Sequence, residues 1–72
     1  MDKKNLTTEK TFALAVQNHK KNNLQVAENL YKEILKTNPN DFAPIYLLGT
    51  LLIHKKDFNR SIQLLEKAVQ IR

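Results

Sequence analysis

Slid along itself by 34 residues, the sequence meets its own pattern. Phe12 falls on Tyr46, Leu14 on Leu48 and Ala15 on Gly49. Further on, Asn23 falls on Asp57, Leu24 on Phe58, Ala27 on Ser61, Leu30 on Leu64 and Leu35 on Val69. Few of these pairs are identities. What persists is size class, with small residues opposite small, large apolar opposite large apolar, and turn opposite turn. A fixed period of this length marks stacked supersecondary units, each burying its apolar face on a neighbour.

Polar punctuation divides the chain into segments of helical length. It is confined to Lys21-Asn22-Asn23, to Thr37-Asn38-Pro39-Asn40-Asp41 and to Lys55-Lys56-Asp57. Elsewhere alanine, leucine, lysine, glutamate and glutamine dominate, and all of them favour helix. A first helix is expected from about Thr8 to Lys21. Thr7 or Thr8 would be its N-cap and Glu9 would complement the dipole in its first turn. Phe12, Leu14, Ala15 and Val16 give it a wide apolar face.

The second helix, about Leu24 to Lys36, has apolar residues at Leu24, Ala27, Leu30, Tyr31, Ile34 and Leu35. This is the strongest amphipathic signal in the chain. Asn38-Pro39 ends it, because the residue before proline is pushed out of the α region. Asp41 is the natural N-cap of a third helix to about Lys55, with Pro44 in its first turn, where a missing amide costs little. Ile45 to Ile53 is nearly all apolar, so this helix should be buried on more than one side. A fourth, about Asn59 to Ile71, carries Ile62, Leu64, Leu65, Ala68 and Val69. The fold class is all-α, built from two antiparallel helix hairpins.

Two antiparallel helices approach closely only where a small residue sits at their crossing. Ala15 and Gly49 on the first helix of each unit, facing Ala27 and Ser61 on the second, supply that residue. Larger side chains fill the volume around them.

On these residues the chain resembles the tetratricopeptide repeat family. That pattern has a Leu-Gly pair early in the first helix, an alanine and an aromatic in the second, and a closing proline. The first unit offers Leu14-Ala15, Ala27, Tyr31 and Pro39; the second offers Leu48-Gly49, Ser61, Leu65 and Ala68. The departures are Thr11 and Ile45 at the tryptophan-like position, and Asn22 and Lys56 in place of the turn glycine. Asn22 tolerates a left-handed backbone better than Lys56 does. The resemblance implies a short right-handed α–α superhelix. Residues 1–7 would be an N-terminal tail, 8–41 the first unit, and 42–72 a second unit without its closing proline.

It also implies a function: the first helix of each unit would line a concave peptide-binding groove. The groove positions are Phe12, Val16, His19 and Lys20 from the first unit, with Tyr46, Thr50, Ile53 and His54 from the second. Such a surface is apolar and aromatic with a basic rim, suited to an extended or helical peptide. The alternative is that Phe12, Val16 and Tyr46 simply pack against each other or a neighbouring chain. One subset of the family grips chaperone C-termini with lysine and asparagine on these helices. Phe12, Val16 and Leu47 occupy the corresponding positions here, which argues against that role.

Other chemistries find little support. There is no cysteine among the 72 residues, so disulfides and thiolate metal sites are excluded. His19 and His54 lie on different helices, one residue out of register, with no carboxylate or hydroxyl in sequence to complete a metal or catalytic site. Glu28 with Lys32 and Glu33 with Lys36 read as ordinary helix-surface pairs. No nucleophile motif or phosphate loop occurs, so no catalytic activity and no cofactor are expected. The net charge is +5, but the basic residues come as scattered pairs without aromatic interleaving. That pattern argues for a solvated surface over a nucleic-acid site. No segment reaches the roughly 18 apolar residues of a membrane span, and a cytoplasmic protein is the default expectation.

Three readings of function remain. The first is a non-catalytic scaffold that binds a protein or peptide ligand. The second is a self-associating module, and the third a basic nucleic-acid-binding domain. The stretch Ala27-Glu28-Asn29-Leu30-Tyr31-Lys32-Glu33-Ile34-Leu35 also looks like those in arrays heading bacterial glycosyltransferase-like and sulfotransferase-like proteins. It would then belong to a longer array attached to an enzyme. Self-association follows from the stacking rule: about three units are needed for independent stability. With no further unit to cover it, the fourth helix leaves Ile62, Val69 and Ile71 for another copy, giving a homodimer or higher oligomer.

Overall fold

The computed structural model describes the backbone of residues 3–72 and the side chains of residues 7–72. Four helices follow in order: α1 (Lys3–Lys20), α2 (Leu24–Thr37), α3 (Phe42–His54) and α4 (Phe58–Ile71). No strand occurs among the described residues. Helix α1 packs on α2 and α3 on α4, and α2 packs on α3 to join the two hairpins.

The first helix begins earlier than expected. It runs from Lys3, so Thr7 and Thr8 lie within it and neither is its N-cap. No proline or glycine interrupts residues 3–8, and lysine and leucine favour helix. The Thr11 hydroxyl donates back to the Thr7 carbonyl at 2.9 Å, as threonine does inside a helix. Of the expected tail, Met1 and Asp2 lie outside the described residues.

Both hairpin turns are built alike. Asn22 has φ 67° and Lys56 has φ 65°, the left-handed conformation that ends a helix. In the first turn the Asn23 amide donates to Asn18 O at 2.8 Å and the Asn22 amide to His19 O at 3.1 Å. In the second, Asp57 donates to Leu52 O at 2.8 Å and Lys56 to Ile53 O at 2.9 Å. These are the paired bonds of a Schellman motif, repeated at the same interval as the side-chain pattern. The side-chain caps differ. Asp57 caps α4 by accepting from the Arg60 amide, whereas Asp41 occupies the N-cap position of α3 without a side-chain cap bond.

The core sits where the small residues allow close approach. Ala15, Ala27, Tyr31, Leu48, Leu51 and Leu52 form one buried cluster, against which Phe12, Leu24, Leu30 and Leu64 pack. Helix α3 is the most deeply set, with Pro44, Ile45, Leu48, Gly49, Leu51 and Leu52 all buried. At the second crossing the buried Ser61 hydroxyl donates to Gly49 O at 2.8 Å. A Cβ placed on Gly49 would lie 2.7 Å from Leu65 Cδ2, so any side chain there requires Leu65 to shift.

Candidate functional site

The Schellman turns leave the last residues of α1 and α3 side by side. His19 and His54 meet there, with ring centroids 5.7 Å apart in an edge-to-face arrangement. Their one-residue offset from the repeat brings them into contact instead of keeping them apart. His19 Nδ1 also lies 3.2 Å from the hydroxyl of Tyr31, whose side chain is fully buried on α2. Burial, and then the neighbouring charge of His54, push the His19 pKa down. Burial pushes the Tyr31 phenol up. The imidazole therefore stays neutral to lower pH than a free histidine and serves as a hydrogen-bond partner of the phenol.

The other expected groove residues spread along the same two helices. Phe12 is half-buried, its ring 6.3 Å from that of Tyr31, and it packs on the core cluster. Val16 is half-buried, while Lys20, Ile53 and His54 are exposed. The half-buried Thr50 bonds its hydroxyl to Leu47 O at 2.8 Å. Tyr46 is 45% exposed and stacks nearly parallel on Phe42, with centroids 5.8 Å apart. Phe42 had no expected role. It also receives the Arg72 guanidinium 4.2 Å from its ring centroid, so the end of α4 is tied to the start of α3. Phe42, Tyr46 and Arg72 border an apolar hollow of about 450 Å³ with Leu65, Ala68 and Val69.

The largest departure from expectation is Glu28. It is 2% exposed and holds three cations: Lys55 at 2.7 Å, Lys32 at 2.8 Å and Arg60 at 2.9 Å. Only Lys32 belongs to the same helix. Lys55 follows α3 and Arg60 lies on α4, so one carboxylate joins the first unit to both parts of the second. Burial alone would raise its pKa. The hydrogen bonds from Lys32, Lys55 and Arg60, with the charge of Lys32, outweigh it and hold the carboxyl at about 2. The pair Glu33–Lys36, by contrast, is an ordinary surface contact at 3.9 Å.

The tetratricopeptide repeat family model matches residues 19–72. The chain belongs to the tetratricopeptide repeat family. The match takes in the left-handed turn residues Asn22 and Lys56 and all of α2, α3 and α4, and it leaves most of α1 outside. No curated protein and no solved structure shows a significant match to the chain. Tetratricopeptide repeats are protein-interaction scaffolds, and the family supports that function here. Among the described residues no group of three or more histidine or acidic side chains is placed to hold a metal. No helix among them is long and apolar enough to cross a membrane.

Proposed function

We propose that the chain is a non-catalytic cytoplasmic scaffold that holds a peptide segment of a partner protein along α1 and α3. The observation that carries this reading is the contact of His19 with His54. It brings the end of α1 directly against the end of α3, and Ile53 and Tyr46 are exposed and Val16 and Thr50 half-buried on the same two helices. Exposed apolar side chains with a polar rim suit a peptide in either extended or helical form. A peptide found by screening should shift the amide signals of Phe12, Val16, Tyr46 and Thr50, and Tyr46→Ala should weaken it. A screen in which no binder shifts Phe12, Val16, Tyr46 or Thr50 would contradict this assignment.

The same scaffold is proposed to self-associate through α4. Ile62 is 54% exposed, Val69 76% and Ile71 40%, while Ala68 on the same helix is buried in its own hairpin. Covering three such side chains is worth roughly 1.5–3 kcal/mol each at full burial. A second copy using the same patch would make a symmetric contact. Sedimentation is expected to show a dimer or larger species at several hundred micromolar that Val69→Lys dissociates. A folded monomer at that concentration, indifferent to Ile62→Lys and Val69→Lys, would contradict it.

A further inference from the structure

We infer that the cleft between α2, α3 and α4 is a second docking site, and that its occupant is an acidic amphipathic helix of a partner protein. The cleft lies apart from the proposed groove and does not depend on it. Its volume is about 510 Å³, and Leu35, Leu48, Leu52 and Leu64 form its floor. Lys32, Lys36, Arg60 and Lys67 stand around its mouth. These cations are scattered in sequence and are gathered only by the packing of α2 against α3 and α3 against α4.

The rim is positioned as well as charged. Buried Glu28 holds the head groups of both Lys32 and Arg60, and Asp57 takes the Arg60 Nε at 2.7 Å. Among the described residues Lys67 has no carboxylate partner, and Lys36 has only the distant, exposed Glu33. With Lys55 included, five cations face three carboxylates, Glu28, Glu33 and Asp57, so the neighbourhood stays positive. A positive rim over an apolar floor complements a helix with leucine-like anchors at i and i+4, flanked by glutamate or aspartate. Nucleic acid fits the floor poorly, because no aromatic side chain lines it for a base to stack on.

The probe is a designed peptide of about 14 residues with leucines at i, i+4 and i+7 and glutamates on the flanks. Two companions carry lysine for the glutamates or serine for the leucines. In ¹⁵N spectra of the intact 72-residue chain, the acidic peptide should shift Lys32, Leu35, Gln63, Leu64 and Lys67. Neither companion should do so. The double variant Lys36→Glu/Lys67→Glu should weaken binding about tenfold or more. Lys10→Glu/Lys21→Glu, with the same change in net charge far from the cleft, should leave it within about twofold. Rising salt should weaken binding, because the rim is open to solvent.

Equal loss in both double variants, or equal binding of the serine peptide, would reduce the effect to bulk charge and overturn the inference. Shifts confined to Phe12, Val16 and Tyr46 would do the same. So would displacement of the peptide by a short DNA duplex that binds the cleft more tightly.

Discussion

Glu28→Gln is expected to lower the unfolding free energy by about 2 kcal/mol, and to reduce the wild type's loss of stability in acid below about pH 4.5. Breaking a fully buried ion pair typically costs roughly 3–5 kcal/mol, because the remaining charge stays buried. Here the partners have another option. The side chains of Lys32, Lys55 and Arg60 are 47%, 28% and 44% exposed and can return to water. The loss therefore falls below that range. For a domain of this size it should still lower Tm by roughly 8–16 °C.

The acid profile separates this effect from mere packing. Glu28 titrates at about 2 in the folded chain against 4.5 for the ordinary group. Its folded pKa is depressed, so its contribution is complete above about 4.5 and fades as pH falls toward 2. That difference corresponds to stabilisation on the order of 3 kcal/mol. His19 is also depressed from 6.5, so its neutral form stabilises the fold at higher pH, and that contribution begins to fade below about 6.5. Denaturant titrations of wild type and Glu28→Gln should thus run parallel from pH 7 to 5 and converge between about 4.5 and 2. Curves that stay parallel down to pH 2 would show that the three cations do not act on this carboxylate.

The repeat interval, the helix count, the turns and the small residues at the crossings were all legible, because each is a local or periodic property. Asn22 and Lys56 announce their left-handed turns by standing where the family has glycine. The Glu28 hub was not legible in the same way. The rule for neighbours on one helix surface finds Lys32 at i+4, whereas Lys55 and Arg60 lie 27 and 32 residues further on. Only the packing of α2 on α3 and of α3 on α4 brings them in. The histidine contact is not visible in the repeat alignment, where His19 falls on Ile53 and His54 stands one residue further on. At the ends of two adjacent helices, that offset is what lets one ring edge meet the other's face. The early start of α1 was missed because threonines are good caps, and nothing local shows that the helix has already begun. The Arg72–Phe42 contact has no periodic signal at all. Among the expected groove residues, the sequence identified which helices carry them. It did not show that Phe12 packs on the core or that Tyr46 stacks toward Phe42.

Enlarging the small residues at the crossings should separate the two hairpins' tolerance. Ala27→Leu is expected to cost roughly 3 kcal/mol or more, at or beyond the upper end for overpacking. Ala27 has no exposed surface and shares its cluster with the buried Ala15, Tyr31, Leu51 and Leu52, which leave little room for a larger side chain. Gly49→Leu should also destabilise, but a smaller step at that site tests the geometry more finely. In Gly49→Ala the new methyl meets Leu65 Cδ2 at 2.7 Å and Cγ at 2.9 Å. Leu65 is only half-buried and can swing outward. Against that displacement stands a gain of about 1 kcal/mol from replacing glycine inside a helix. The two effects nearly cancel, and Gly49→Ala should melt within a few degrees of wild type while Ala27→Leu melts at least about 12 °C lower. If Ala27→Leu melts with the wild type, α1 and α2 do not cross at Ala27, and the close approach described for the first hairpin is wrong.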